Sequence, residues 1–480
     1  MPLEWEPAAF ASFASFSYVA GDLSPIKGIK RQPWLSDIES DHVRLSDVIP
    51  HGYRWLEPSE IAAELKARLS AEAEEACREF DQIYVLLSGG LDSRIVAGTL
   101  SELVAQGKLD APPTAVTWGT EDSRDVVYAR YLAEILGFPW VHLPLTEKDH
   151  AKNIRLMSDE NGVATSPTHL HRMDWFSQFG DDVLVLAGSY GDSVGRSEFS
   201  GRIVLELDFL RPKNLFGLMT DDAFATGVDG LEKEFAAIRD RANERPKYAI
   251  CEMEQQAHYM RGMIAHAMSI IGRSCHLYQM FTSPEVYSFM WSLHPAARTD
   301  QVYTELLKQV DLRLARVPWA RTNQPLESEP LFRDTNATLS YHRYMDWTVG
   351  SLWEELSNLV QPEWFEKTGM FDAERMSEFL TDLLAGELWR YGRKPHETLS
   401  WLASIRCLAE AVEAEPEKRI RPAAIAKGAR TQYGIDSRTS LRRKLSRLPF
   451  AQRTASRLRR SALRKVSLRT YPISNTLSKD

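Results

Sequence analysis

The chain has 480 residues, with 58 Lys and Arg against 66 Asp and Glu and a formal charge of −8; at roughly 150 residues per domain, this length predicts two to three domains. An apolar content of 44% with 26% charged residues is ordinary for a globular chain and excludes wholesale disorder. No stretch approaches the roughly 18 apolar residues of a membrane helix, the opening residues carry Glu but no Lys or Arg, and the four cysteines form no CxxC pair, so a cytoplasmic protein is expected.

In chain order, residues 1–58 read as an irregular N-terminal segment, with Pro, Gly and Ser spread through GDLSPIKGIKRQPWLSD. Residues 59–80 are rich in Ala, Leu and Glu at helical spacing, with Ser59 placed to cap them. IYVLL (83–87) is a short apolar run suited to a strand buried on both faces. After Ser88-Gly89-Gly90, LDSRIVAGTLSELVAQG has the pattern of a helix. TAVTW reads as a second strand, DVVYARYLAEILG as a helix stopped at Gly137, WVHLPL as a third strand and DVLVLAG (182–188) as a later one. This alternation predicts an α/β fold, a parallel sheet with helices on both faces, over about 81–201.

From 202 to 415 no strand is expected, and long segments such as KYAICEMEQQAHYMRGMIAHAMSIIG and residues 373–415 read as helices. Residues 416–480 form a basic tail. Between Arg438 and Arg469 lie twelve Lys and Arg and no Asp or Glu, which leaves about −20 on the remainder of the chain. Leucines alternate with the arginines in pieces broken at Pro449, a pattern suited to contact with an acidic partner or an anionic membrane surface, or simply to a solubilising tail.

The most informative string is Ser88-Gly89-Gly90-Leu91-Asp92-Ser93, between a buried strand and a helix. A helix N-terminus offers free N–H groups and positive dipole, glycines admit an anion to the backbone, and the Ser88 and Ser93 hydroxyls add donors. Asp92 would repel a phosphate unless a cation lay between them, which points to Mg²⁺. No GxxxxGK[ST] occurs.

SGGLDS resembles the pyrophosphatase-type loop of the asparagine synthetase family, whose members cleave ATP between its α and β phosphates. VTWGTEDSRDVVYARYLAEILGFPWVHLPL, with Asp125 opening a helix, is similar to the family's second-strand block. ATSPTHL (164–170) and VLVLAGSYGD resemble its next two, in the same order. The resemblance covers about 59–415 and implies an adenine nucleotide alpha-hydrolase-like sheet followed by a mainly helical region. It implies that Leu87 and Trp118 flank the adenine of ATP, that Gly188 lets the nucleotide approach, and that Asp92 and Asp192 hold Mg²⁺.

The sequence also departs from the family pattern. The family's glutamine-splitting half requires a Cys after the initiator Met; residue 2 here is Pro, and only about eighty residues precede the first strand. Nitrogen is therefore expected from free ammonia, an amine or a separate glutaminase subunit. Ser189 stands where the family has Glu, leaving Tyr190 or Glu160 as the expected proton acceptor. Where the family has a late Lys, VPWARTNQPL offers Arg321. His169 and His171 form an HLH pair, expected to lie at a helix start near the nucleotide rather than to bind metal. The expected activity is an asparagine-synthetase-like ligase that adenylates a small-molecule or peptide carboxylate, releases pyrophosphate and forms an amide. A non-catalytic ATP-binding or scaffold protein on the same fold is the alternative.

Overall fold

The computed structural model describes residues 4–39, 42–195, 202–242, 245–327, 329–332, 334 and 336–414; the basic tail expected at 416–480 lies outside them. An antiparallel pair, β1 (Ser36–Glu39) and β2 (His42–Leu45), precedes a five-stranded sheet. That sheet consists of β3 (Gln82–Leu86), β4 (Thr114–Gly119), β5 (Trp140–Pro144), β6 (Val183–Ala187) and β7 (His276–Gln279). Its order is β5-β4-β3-β6-β7, and all neighbours are parallel.

The apolar runs become strands because they are covered on both sides. All five residues of β6 are buried. Leu184 and Leu186 join one core with Leu65 and Leu69 of α2 (Pro58–Cys77) and Ile95 of α3 (Leu91–Ala105). Val183, Val185 and Ala187 join a second core on the opposite face, with Ile270, Ile271, Leu399 and Leu402. Strand alternation thus divides the interior into two cores with the sheet between them. From β3 the chain steps outward through β4 and β5, then returns to place β6 on the other side of β3. Open α/β sheets bind ligands at such a reversal, beyond the carboxyl ends of the strands.

Three expectations are corrected. The segment read as irregular contains α1 (Pro7–Phe16), whose Phe13 ring stacks on Trp401 at 3.8 Å and whose Ala8, Ala9 and Phe10 are buried. PAAFASFASF is apolar on nearly every side, so it lacks the one-sided stripe that betrays a surface helix. It lies close against the helix Asp221–Asp240, where a Cβ on Gly227 would come within 2.5 Å of the Pro7 carbonyl oxygen. Secondly, α2 is capped by Glu57, whose N–H donates to Glu60 Oε2 at 2.9 Å, with Pro58 in the first turn, so Ser59 is not the cap. Thirdly, the region from 202 onward does hold a strand. β7 is only four residues, HLYQ, too short to carry a periodic signal, and its place at the sheet edge is set by pairing with β6.

The block 247–272 is helical throughout, with a π-helical stretch at Gln255–Ala265. The block 373–415 is broken: Ala373–Ala385 ends at Gly386 in the left-handed region (φ 76°), and Lys394–Ala414 follows. No helix among the described residues is long and apolar enough to cross a membrane.

Candidate active site

β3 leads into the loop through Leu87, whose N–H donates to the Val116 carbonyl at 2.9 Å and whose carbonyl accepts from Thr117 Oγ1 at 2.8 Å. The Leu87 side chain is 2% exposed and lies in the first core. Gly90 is the N-cap of α3, in extended conformation. The loop is shaped by its own side chains. Ser88 N–H donates to Ser93 Oγ at 3.1 Å, Gly90 N–H donates to Ser88 Oγ at 3.1 Å, and the two hydroxyls lie 3.1 Å apart. Gly89 N–H donates to Asp125 Oδ1 at 3.1 Å.

Asp125 belongs to α4 (Arg124–Leu136), capped by Ser123 and ended, as expected, by Gly137 at φ 70°. Burial pushes the Asp125 carboxyl from an ordinary 3.8 up to about 6, against the lowering effects of the Gly89 N–H and of Arg94. The folded protein therefore keeps this proton to a higher pH than the unfolded chain, and the stability this provides is lost as pH rises from about 4 through about 6. Asp125→Asn keeps an acceptor for Gly89 but cannot ionise. Urea unfolding from pH 4 to 6.5 is expected to give a flatter profile for the variant, and parallel profiles would refute the assignment.

Across the sheet reversal, the chain after β6 comes into contact with this loop. A Cβ on Gly188 would lie 2.7 Å from the Asp92 carbonyl carbon and 2.8 Å from both its oxygen and Ser93 N. A Cβ on Gly191 would lie 2.1 Å from Asp92 Oδ1 and 2.7 Å from Asp92 Cβ. Only glycine permits this approach. Asp192 follows directly in the short π-helical turn Gly191–Gly195, and Gly191 O accepts from Tyr303 Oη at 3.0 Å. Gly188→Ala forces backbone apart from backbone, at a cost of about 1–3 kcal/mol. The variant is expected to melt earlier than the parent; an unchanged melting temperature would show that the contact with Asp92 is not tight.

A residue that the sequence reading passed over organises the third side. Arg94 is fully buried. Its Nη1 donates to the carbonyls of Leu314 (2.8 Å) and Val317 (2.6 Å), and its Nη2 to those of Gly89 and Pro318 (both 3.0 Å). Burial lowers this guanidinium to about 9, so it remains charged at neutral pH. The clamp ties the phosphate-type loop to the VPWAR segment. There Ala320 N–H donates to Gly89 O at 3.0 Å, and a Cβ on Gly89 would meet the Ala320 methyl at 2.7 Å. Arg321 is the next residue, exposed, with its guanidinium 5.6 Å from the Trp319 ring centroid.

The proton-acceptor expectations fare differently. Glu160 ion-pairs with Arg273. The helix His266–Gly272 descends from Met268, which is level with Ser189 beyond β6, to Arg273, just ahead of the first residue of β7. Glu160 is thus engaged by Arg273, while its neighbour Asn161 donates to His266 O and lies 2.9 Å from Ser269 Oγ. Tyr190 is 1% exposed and packed in the first core. Ser189 Oγ donates to Met268 Sδ at 3.2 Å.

On the other side of β3, Trp118 is the penultimate residue of β4 and half-buried, its ring near-parallel to His171 at 5.8 Å. The HLH segment starts in a 3-10 turn, Pro167–His169, capped by Ser166. Among the described residues, no group of three or more His, Cys, Asp or Glu is arranged to hold a metal ion.

Residues 64–173 match the asparagine synthase family. This asparagine-synthase-like segment runs from α2 through the SGGLDS loop, Asp125 and the HLH turn, and stops short of Gly188–Asp192. Enzymes of this family use ATP. A solved NMN synthetase from Francisella tularensis is 16% identical, covers 41% of this chain and 77% of its own, and superposes with a TM-score of 0.21. No curated protein matches the chain.

Proposed function

We propose that the protein is an ATP-dependent ligase that activates a carboxylate as its adenylate and forms an amide with ammonia or an amine. One observation carries this reading: Gly188 and Gly191 close on Asp92 at the sheet reversal, so that an asparagine-synthase-like loop meets a second acidic turn. In the first step, a carboxylate oxygen of the substrate attacks the α-phosphorus of ATP, and the bond to the β-phosphate oxygen breaks, releasing pyrophosphate. In the second, the amine nitrogen attacks the acyl carbon, the carbon–oxygen bond to AMP breaks, and the nitrogen's proton passes to solvent.

This chain's residues supply position and charge. The helix α3 N-terminus and the glycines admit the phosphates. Asp92 and Asp192 fit Mg²⁺, an ion that takes one or two carboxylates and completes its shell with phosphate and water oxygens. When bound, it would neutralise charge on the departing pyrophosphate. Arg321 follows Ala320, whose N–H bonds Gly89 O of the loop, and in this reading it would steady charge on the transferring phosphoryl group.

The second reading, a nucleotide-binding protein without turnover, is favoured by Ser189, whose hydroxyl engages Met268 where the family pattern has Glu. Calorimetry with Mg-ATP and pyrophosphate exchange across a panel of carboxylates, aspartate first, test both. Exchange with any member supports the ligase. Binding without exchange throughout supports the second reading, and absence of binding refutes both.

A further inference from the structure

Beside the nucleotide loop, past Trp118, lies a narrow polar chamber, partly open to solvent, with room for about one water-sized molecule. His169, His171, His342, His396, Arg393 and Glu397 line it. It adjoins the carboxyl end of β4: Thr120 N–H donates to Tyr341 O at 2.9 Å, and a Cβ on Gly119 would lie 3.1 Å from Tyr341 Cβ, while the Tyr341 ring packs edge-on to His171.

Most polar groups of the chamber are paired within it. His171 Nδ1 lies 3.0 Å from Tyr344 Oη, and His396 Nδ1 lies 2.6 Å from Thr348 Oγ1. Arg393 Nε forms an ion pair with Glu397 Oε1 at 2.9 Å. Two buried atoms remain without a hydrogen-bond partner, Glu397 Oε2 and His169 Nε2. Glu397 is 97% buried by side chain, with His169 Nε2 3.9 Å from its other oxygen. A buried, unpaired carboxylate oxygen is costly unless a ligand completes it.

The chemistry of the two atoms selects that ligand. A carboxylate oxygen only accepts, and imidazole Nε2 accepts when the proton is on Nδ1. The ligand must therefore donate, and a positive charge suits the carboxylate. An anion would meet Glu397 at close range, and the described residues offer no metal-ligating trio. The surrounding imidazoles do not oppose a cation. Burial lowers His169 to about 3 and His342 and His396 to about 4, and His171 well below its ordinary value, so all four are neutral at pH 7.

We infer that this chamber binds an ammonium-type nitrogen, held by Glu397 Oε2 and His169 Nε2. The nitrogen is either free ammonium or the alkylammonium end of a larger molecule. Its place in the reaction, as a store of nitrogen that gives up a proton to solvent before it attacks, rests on the ligase reading; the binding itself does not.

The test uses the full chain and ¹⁵N-ammonium chloride against sodium chloride at equal ionic strength, with bound ammonium followed by proton–nitrogen NMR and by thermal melting. The expected result is a bound ammonium signal and a raised melting temperature in the parent. Both should weaken about tenfold or more in Glu397→Gln and in His169→Leu, the scale of one charged hydrogen bond. Glu397→Gln leaves Arg393 with an uncharged partner, so His169→Leu, which keeps the Arg393–Glu397 pair, guards against a folding artefact. Displacement by n-butylammonium identifies the end of a larger amine as the ligand, whereas resistance to it identifies free ammonium. No bound ammonium in the folded parent, or equal binding in both variants, overturns the inference. Ammonium binding in a chain that ignores Mg-ATP would uphold the chamber and sink the ligase; the converse would do the reverse.

Discussion

Asp92→Asn is expected to reduce pyrophosphate release by about 10²–10³-fold, or roughly 3–4 kcal/mol, while the melting temperature stays near that of the parent. The exchange is nearly isosteric, so the contact of Asp92 with Gly188 and Gly191 survives. The loss is one negative charge at the place where Mg²⁺ would meet the departing pyrophosphate. Asp192→Asn should act alike, and the double variant should lose less than the product of the two, if both carboxylates serve one ion as proposed. Full turnover in Asp92→Asn would remove the metal assignment. A variant that loses turnover and also melts early would point instead to a structural part for Asp92 in the glycine contact.

The second large effect is expected at Arg94. Arg94→Met should destabilise the protein by about 3 kcal/mol or more, since the carbonyls of Gly89, Leu314, Val317 and Pro318 lose a shared donor in the interior. Arg94→Lys should fall between parent and Met, because an ammonium is a point donor and cannot reproduce the planar fork that reaches four oxygens. The distinguishing measurement is Mg-ATP affinity at a temperature where the variant remains folded. If Arg94 holds the loop and the VPWAR segment in register, affinity falls with Lys as well. If affinity is unchanged in the folded Lys variant, the clamp serves stability alone, and the delivery of Arg321 to the loop through Arg94 is refuted. Melting of Arg94→Met at the parent temperature would dispose of the clamp altogether.

Strands β3 to β6 and helices α3 and α4 were legible because the signals that define them are local. Apolar runs such as VLVLA mark strands covered on both faces, and Gly137 marks where a helix ends. The SGGLDS loop was legible for the same reason, since a glycine pair between strand and helix is a backbone requirement written in consecutive residues. Even so, the local reading assigned the Ser88 and Ser93 hydroxyls to a ligand, whereas they first tie the loop's own amides.

Other parts depend on contacts between residues far apart in the chain. α1 is a helix through its burial against Trp401 and the helix Asp221–Asp240, which no ten-residue window contains. β7 exists because β6 pairs with it. Glu160 pairs with Arg273, 113 residues further on, a contact that no local window contains. Arg94 looks like an ordinary helix residue until four carbonyls, three of them more than 200 positions away, converge on it. His169 and Glu397 face one chamber across a separation of 228 residues. Strand, helix and turn preferences act over a few residues and are written in order; burial, charge pairing and the end of the sheet at which a side chain emerges are set by packing, which acts without regard to order.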